Sequence, residues 1–246
     1  MERLDKLLCS QTTLTRSEAG RLIRQGRVSL DGAPCRDPAR RIDPESAALA
    51  LDGRALGFSR RVYLMLNKPA GVLCVSRDPK VPTVIDLLPE EMRRRGLFPA
   101  GRLDKDTHGL TLITDDGDLA HRMLSPRHHV PKTYLARLDR PVDDAAAEAF
   151  RAGPTLADGT RCMPAQLTFP QPEDRTFAEV VICEGKFHQI KRMFLSVGRT
   201  VVWLKRIRIG GLTLDESLPE GAARPLTESE RLNILPKNED RFLARR

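Results

Sequence analysis

Three short segments of the sequence bring together acidic, aromatic and basic residues in ways that permit chemistry. In the first, Gly101–Gly109, Asp104 lies two residues after Arg102. Residue types alone indicate a surface turn or a cation-binding loop, since alternating carboxylates are typical of EF-hand calcium loops. Calcium is the weaker interpretation, because the last ligand position lacks its glutamate and no helices flank the loop. The residues at EF-hand positions are Asp104, Asp106, Gly109 and Asp115.

The other two segments supply an aromatic hydroxyl and a group of cations. Lys132-Thr133-Tyr134 opens a predicted strand, where a tyrosine is by default a core residue with its hydroxyl at the edge. The segment Glu184–Met193, which contains Lys191 and Arg192, has the charge of a basic helix start that faces solvent. The histidines lack metal-ligand spacing such as His-Glu-x-x-His, so we assign them no ligand or catalytic role.

The balance of charge points to a polyanionic partner. The 246 residues carry a net charge of +8, with a pI of about 9.6. Between Gly185 and Arg208 there are seven lysines and arginines and no acidic residue, and apolar residues such as Trp203 lie among them. We interpret this segment as a structured basic surface, and nucleic acid is its expected partner ahead of a membrane.

Composition also bears on the compartment. No run approaches the roughly 18 apolar residues of a membrane span, and the first residues lack the apolar core of a secretory signal. The five cysteines are scattered without a Cys-x-x-Cys pair, which is typical of free thiols in a reducing environment. We therefore expect a cytoplasmic protein.

An N-terminal group of elements must position some of these charges. Thr15-Arg16-Ser17-Glu18 is a capping box that predicts a helix, which Gly26 ends. One face of the helix packs, and an adjoining basic face meets phosphates. A hairpin turn at Asp31-Gly32 follows, between Val28–Leu30 and Ala33–Cys35. The basic residues, the last included only if the helix extends so far, are Arg16, Arg21, Arg24 and Arg27.

The remainder of the chain alternates strands with a few helices. Since strands outnumber helices, we predict an α+β body on a largely antiparallel sheet. The predicted domains are residues 1–56 and 61–235, joined by a linker at 57–60 and followed by a polar tail at 236–246. The predicted strands are Tyr63–Leu66, Leu110–Thr114, Thr133–Leu138 and Phe177–Ile182. The predicted helices are Asp143–Ala152 and His188–Val197, with Gly198 ending the second.

A pattern of residues is distributed over the N-terminal unit. Its members are Arg3-Leu4-Asp5-Lys6, Arg16-Ser17, Ala19, Leu22-Ile23, Gly26-Arg27-Val28 and Asp31-Gly32. The unit thereby resembles the S4 RNA-binding domain. Charge and amphipathicity alone leave a solvated helix as an equal alternative, and the resemblance favours RNA binding.

Seven further blocks follow one another along the rest of the chain. They are Asn67-Lys68-Pro69-x-Gly71, Gly101-Arg102-Leu103-Asp104-x-x-Thr107-x-Gly109, Thr114–Gly117, Ser125–His129, Lys132-Thr133-Tyr134, His188-Gln189-x-Lys191-Arg192-Met193 and Ile209-Gly210-Gly211-Leu212. In this order the chain, from Arg3 to Leu232, resembles the pseudouridine synthases of the small-subunit ribosomal RNA type (the RsuA family). Several blocks in sequence behind an S4-like domain make coincidence implausible.

The resemblance implies a reaction and the residues that carry it. Pseudouridine formation breaks the bond between uracil N1 and the ribose, turns the base and rejoins it through C5. By family position Asp104 is the carboxylate nucleophile, which needs no base to activate it. Lys191 is the cation that keeps it charged, where many relatives have arginine with its bidentate geometry. Tyr134 stacks under the target base and handles protons, and Arg102 helps to displace the uridine from its stack.

The resemblance also implies partners. The expected substrate is a uridine in ribosomal RNA, most specifically 16S small-subunit RNA, either naked or in a partly assembled subunit. Lys132 and Arg192 join Arg102 and the helix arginines as RNA-binding residues, and Lys68 supports the scaffold of the site. We expect a monomer without membrane contact. The reaction is an isomerisation, so we expect no metal, nucleotide or redox cofactor.

Three alternatives remain from the sequence. The first is a large-subunit (23S) pseudouridine synthase, which differs only in its target. The second is a non-catalytic S4-domain assembly factor, against which intact Asp104 and Tyr134 argue. The third, more distant, is a hydrolytic base glycosylase, which needs a positioned water.

Overall fold

The chain folds into two compact units in the computed structural model, which describes residues 1–125 and 128–235. The first unit comprises Met1–Val62 together with Leu88–Leu97; the second comprises Tyr63–Leu87 and the chain from Phe98 onward. The return of Leu88–Leu97 to the first unit is not foreseen by the sequence, and the predicted domain boundaries stay a prediction. The predicted polar tail and Arg127, within the segment Ser125–His129, lie outside the described residues.

The first unit packs two helices with short strands. The elements are β1 Glu2–Arg3, α1 Leu4–Gln11, α2 Arg16–Arg24, β2 Val28–Leu30, β3 Ala33–Cys35, β4 Arg41–Ile42, β5 Leu49–Leu51 and β6 Arg54–Leu56, with a 3₁₀ turn at Glu90–Met92. The four-stranded sheet has the order β3-β2-β5-β6, and β1 pairs with β4. The apolar sides of both helices and of the sheet form one core, with Leu4, Ile23 and Val28 fully buried.

The local signals in this unit are confirmed. The capping box of Thr15 and Glu18 forms at the start of α2. Asp31 and Gly32 have positive φ angles of 52° and 83°, as the tight turn between β2 and β3 requires. The helix ends at Arg24, so Arg27 lies beyond it and is not part of its basic face.

The predicted linker at residues 57–60 is bound to the first unit. Phe58 packs against its core, and the backbone N–H of Ser59 donates to Oε1 of Gln11 at 3.0 Å. Arg60 pairs with Glu45 at 2.7 Å. This segment is therefore held along its length by side-chain contacts.

The second unit is built on one sheet. Its strands are β7 Tyr63–Lys68, β8 Phe98–Ala100, β9 His108–Thr114, β10 Lys132–Leu138, β11 Gln166–Thr168, β12 Phe177–Ile182, β13 Val201–Ile209, β14 Leu212–Thr213 and β15 Ala223–Pro225. Its helices are α3 Gly117–Leu124, α4 Asp144–Ala152, α5 Gln189–Ser196 and α6 Glu228–Asn233. The strand order is β11-β12-β10-β13-β9-β7-β15, and β14 and β8 pair with β13 and β9. Every strand pairing is antiparallel except that of β13 with β9, so the predicted α+β class with a largely antiparallel sheet is confirmed.

The parallel contact between β9 and β13 depends on one glycine. Gly109 has a φ of +100°, and a Cβ atom placed there would lie 2.2 Å from the carbonyl oxygen of Arg206. Only glycine tolerates both the dihedral angle and the close approach. The start of β9 is thereby fixed next to β13, directly after the loop that carries Asp104.

Candidate active site

Asp104 lies in the loop between β8 and β9. Leu103 before it and Thr107 after it are buried, and the backbone N–H of Thr107 donates to the carbonyl oxygen of Asp104 at 3.1 Å. These contacts anchor both sides of the loop, while the Asp104 side chain keeps 27% of its surface exposed. The carboxylate is thus fixed in position and still accessible to a ligand.

Lys68, at the end of β7, binds the backbone of the same loop through its side chain. Its side chain is completely buried, and Nζ donates to the carbonyl oxygens of Pro69, Lys105 and Thr107 at 2.9, 3.1 and 2.9 Å. Burial lowers the pKa of Lys68, although nearby acidic groups oppose that shift. Since Lys105 and Thr107 flank the turn that follows Asp104, Lys68 fixes the path of the loop, in keeping with the scaffold role expected for it.

Lys191, on α5, is the cation that faces Asp104. Its Nζ lies 3.2 Å from Oδ2 of Asp104 and 2.6 Å from Oδ1 of Asp106. Burial alone lowers the pKa of Lys191, but hydrogen bonds to Asp106 and Asp104 outweigh it and raise the pKa above its usual value. The hydrogen bond from Lys191 in turn lowers the pKa of Asp106. Lys191 is therefore charged at neutral pH, and it is shared between two carboxylates.

The position of Lys191 also argues against the interpretation of this segment as a calcium loop. Residues His108–Thr114 form strand β9, so they do not fold as the second half of a calcium loop. Asp104 and Asp106 direct their oxygens at an ammonium group. Within residues 1–125 and 128–235 no group of three or more His, Cys, Asp or Glu side chains is placed to hold a metal ion.

His188 also lies at this site, although the sequence assigned it no role. Its Nε2 lies 3.6 Å from Oδ1 of Asp104, and its backbone adopts a left-handed conformation with φ of 48° at the start of α5. A non-glycine residue in this region is uncommon and often marks a functional segment. The positive φ depends on tertiary packing, and no spacing in the sequence signals it.

Tyr134 lies on β10 with its side chain in the same pocket as Asp104, His188 and Lys191. It is 9% exposed, and its strand pairs with β12 at Val180 and with β13 at Arg206. Pairing on both sides fixes the strand, so the ring has a defined position in the wall of the pocket. The structure thus brings together the three residues that the sequence predicts to be catalytic.

The predicted RNA-binding residues of this unit separate into different environments. Arg102 is exposed and lines the pocket. Arg192 pairs with Asp158 at 2.5 Å and donates to the carbonyl oxygen of Phe187 at 3.3 Å, so its guanidinium is engaged within the protein. Lys132 is only 8% exposed on β10, where burial first and Arg206 second lower its pKa to about 8. Its burial argues against a surface contact with phosphate.

Two polar groups near the pocket are buried without a hydrogen-bond partner in the part of the chain that the structure describes. They are the hydroxyl of Thr107, which lines the pocket, and Nη2 of Arg206, whose Nε donates to the carbonyl oxygen of Leu110 at 2.8 Å. Arg206 is 3% exposed. Unsatisfied buried groups are rare in folded proteins, and a functional role or a bound water is the usual explanation for one. Neither is detectable from the sequence, because burial is a property of the assembled sheet.

The predicted basic face of the first unit is exposed. Arg21 and Arg24 project from α2 into solvent. Arg16 lies 3.4 Å from a carboxylate oxygen of Asp5, and Arg27 makes two hydrogen bonds to Asp52, at 2.6 and 2.7 Å.

In the described part of the chain no helix is long and apolar enough to cross a membrane. All five cysteines are free thiols, as predicted.

Comparison with known proteins identifies the family. Residues 62–196 match the RNA pseudouridylate synthase family, and residues 2–47 match the S4 domain. The chain is 46% identical over 237 residues to ribosomal small subunit pseudouridine synthase A of Escherichia coli, covering 95% of this chain and 100% of the relative. It is 42% identical over 230 residues to an uncharacterized RNA pseudouridine synthase of Bacillus subtilis, covering 93% and 96%.

A solved structure agrees with these matches. The crystal structure of a pseudouridylate synthase superposes with a TM-score of 0.66 at 38% identity, covering 95% of this chain and 100% of that one. The match to the pseudouridylate synthase family covers the segments that hold Asp104, Tyr134 and Lys191. The chain therefore belongs to the RNA pseudouridylate synthase family, with an S4 domain at its N-terminus.

Proposed function

We propose that this enzyme converts a uridine of small-subunit ribosomal RNA to pseudouridine, with Asp104 as its nucleophile. The arrangement that best supports the proposal is Asp104 beside the ammonium group of Lys191, in one pocket with Tyr134. The substrate is proposed from the names of relatives in Escherichia coli and Salmonella, which are ribosomal small subunit pseudouridine synthases.

The reaction needs a carboxylate that is charged and accessible. The bond between N1 and C1′ breaks, a bond between C5 and C1′ forms, C5 loses its proton and N1 gains one. Asp104 forms a transient covalent bond with the substrate, which splits one difficult step into two easier ones. Lys191 places a positive charge 3.2 Å from that carboxylate before the attack.

Tyr134 acts on the base. An aromatic ring in the pocket wall provides a flat surface for the flipped uracil, and base flipping costs a few kcal/mol that such contacts repay. Its phenol belongs to the same pocket, and a positioned hydroxyl is able to transfer protons to and from the base. Arg102, exposed at the same pocket, occupies the space that the flipped uridine leaves in its stack.

The first unit supplies affinity. We propose that residues 1–56 act as the RNA-binding domain and residues 61–235 as the catalytic domain. Arg21 and Arg24, exposed on α2, contact phosphates and release counterions. The enzyme acts as a cytoplasmic monomer, on naked RNA or on a partly assembled ribosomal subunit.

The test is release of tritium from small-subunit ribosomal RNA labelled at uridine C5, both naked and in partly assembled particles. Isomerisation replaces the C5 hydrogen, so we expect wild-type protein to release tritium to water and Asp104→Asn to release none while it still binds RNA. Release from large-subunit RNA alone contradicts the proposed substrate. Equal release by Asp104→Asn contradicts the proposed nucleophile.

A further inference from the structure

Phe187 exposes an aromatic ring beside the active site. Its side chain is 74% exposed, and it is the only aromatic residue among the exposed large hydrophobic side chains in the described ranges 1–125 and 128–235. Its neighbours in sequence, Lys186 and His188, both line the pocket of Asp104. An apolar ring left in water forgoes the stabilisation that burial brings, and this one stands beside the pocket, where a ligand is able to cover it.

The segment that carries Phe187 is fixed in place. The backbone N–H of Lys186 donates to Oε1 of Gln189 at 2.9 Å, and the Gln189 side chain, which is buried, donates to Glu184 at 2.6 Å. Arg192 donates to the carbonyl oxygen of Phe187 itself at 3.3 Å. These contacts hold both sides of Phe187, so the exposure of its ring is built into the segment.

One face of the ring is already covered. The imidazole of His188 stacks on Phe187 with ring centroids 3.7 Å apart and an angle of 21° between the planes. The same imidazole lies 3.6 Å from Asp104. The two rings therefore form a short stack that begins at the proposed nucleophile and presents a flat aromatic face at the mouth of the pocket.

The surrounding charge indicates what occupies that face. Three cations, Arg102, Lys186 and Lys191, line the adjacent pocket, and Arg102 is exposed there, which suits the phosphates of RNA. A uridine flipped into the pocket leaves its neighbours on the strand close to the rim, and unstacked bases of RNA bind to aromatic side chains. A nucleobase fits both the flat ring and the basic surroundings.

We infer that Phe187, backed by His188, is a stacking platform for the nucleobase next to the target uridine. The inference rests on uridine isomerisation, the activity of the family, and not on which ribosomal subunit carries the target. Stacking binds the flanking nucleotide in the ground state and thereby positions the target uridine next to Asp104. The platform acts mainly through KM for RNA, and it tolerates different bases because every base has a π face.

The experiment measures tritium release on short RNA fragments around whichever ribosomal uridine the wild-type enzyme converts, so an error in the proposed subunit does not decide the outcome. The fragments carry either the natural base or an abasic nucleotide at the position before or after the uridine. The variants are Phe187→Ala, Phe187→Leu and Phe187→Trp. Leu195→Ala is the matched control, because Leu195 is 62% exposed on the same basic segment and does not line the pocket.

We expect Phe187→Ala to lower kcat/KM about tenfold on intact RNA, with most of the change in KM. Phe187→Leu keeps an apolar side chain without a flat ring and shows a similar loss, while Phe187→Trp and Leu195→Ala remain close to wild type. One of the two abasic fragments costs the wild-type enzyme about tenfold and costs Phe187→Ala nothing further.

Three results overturn the inference. The first is that Phe187→Ala or Phe187→Leu retains the wild-type kcat/KM on naked RNA. The second is that the losses from Phe187→Ala and from each abasic fragment are additive. The third is that the defect of Phe187→Ala occurs only on ribosomal particles, which would indicate a protein partner. Because an exposed ring contributes little to the core, the thermal unfolding midpoint of each variant serves as a check that folding is unchanged.

Discussion

Helices α2 and α5 are both short and basic, yet they begin in opposite ways. The start of α2 is satisfied locally, by the reciprocal hydrogen bonds of Thr15 and Glu18. The start of α5 has no side-chain cap and follows His188 in a left-handed conformation. The start of α2 is thus satisfied by its own residues, whereas the start of α5 depends on the buried Gln189, whose side chain donates to Glu184.

The basic side chains of the two helices also differ, in whether other residues of the protein already engage them. Arg21 and Arg24 on α2 are exposed and form no ion pair in the described part of the chain. On α5, Lys191 is engaged by Asp104 and Asp106, and Arg192 by Asp158. Uncommitted surface cations act through counterion release on any phosphate, while a cation paired at low exposure acts on one defined group. We therefore propose that equal charge on the two helices serves affinity in one unit and turnover in the other.

The largest effect that tests this difference is expected from Lys191→Ala. The variant removes the positive charge beside Asp104, so we expect kcat to fall about 1000-fold while RNA affinity changes little. Lys191→Arg retains the charge and should keep substantial activity. Single-turnover tritium release and filter binding measure the two quantities; equal losses in both would assign Lys191 to RNA binding and break the contrast with α2.

Tyr134→Phe tests a residue of the same pocket that carries no charge. The ring remains available to stack under the base, but the hydroxyl proposed to transfer protons is gone, so we expect turnover to fall about 100-fold with RNA binding retained. The comparison of Kd with the single-turnover rate checks it. Normal turnover would reduce Tyr134 to a packing role.

Lys132 adds a third kind of cation to this comparison, because it is neither exposed nor paired with a carboxylate in the described residues. Its pKa, lowered to about 8 by burial and by Arg206, lies below the ordinary 10.5 of the unfolded chain. Between these values the unfolded state binds more protons, so the stability contributed by this group rises with pH from about 8 to 10.5. At pH 7 the charged form is penalised, and we expect Lys132→Met to stabilise the protein by about 2 to 3 kcal/mol.

Urea unfolding at pH 7 and pH 10.5 measures this prediction. The gain of Lys132→Met over wild type should shrink at the higher pH, where the native lysine is neutral. Lys68 also has a lowered pKa, but it is present in both proteins and cancels in the difference. A destabilised Lys132→Met at both pH values would mean that the ammonium group is satisfied in solution.

The smallest effect is expected from the arginines of α2. Arg21→Ala together with Arg24→Ala should weaken RNA binding about tenfold and lower the slope of log K against log salt by about two, with kcat unchanged. Arg27→Ala is the matched control, because Asp52 already engages its guanidinium. An unchanged slope in the double variant would mean that this face of α2 does not contact phosphates.

These two helices also mark the limit of what the sequence is able to predict. The capping box, the Asp31-Gly32 turn and the strand at Phe177–Ile182 depend on neighbouring residues, and each is found where it was predicted. The partners of Lys191 lie more than 80 residues away, and Asp106 among them had no predicted role. The burial of Lys132 and Arg206 arises only when β10 and β13 lie side by side in the sheet.

Family resemblance covers part of that gap. It identified Asp104, Tyr134 and Lys191 as one group, and the structure brings them into one pocket. It gave no sign of the left-handed His188 or of the three carbonyl oxygens that Lys68 binds, since both depend on backbone geometry. Positions and partners of side chains therefore required the fold, whereas the chemical groups themselves did not.

The sharing of Lys191 has a consequence for the proposed intermediate. Its shorter contact, 2.6 Å, is to Asp106 and not to Asp104, at 3.2 Å. When Asp104 forms a covalent bond its negative charge disappears, and a lysine with no other partner would be left as an isolated charge. Asp106 keeps Lys191 neutralised throughout, so the electrostatic balance of the pocket survives the loss of charge on the nucleophile, and the release of Asp104 regenerates the original pair.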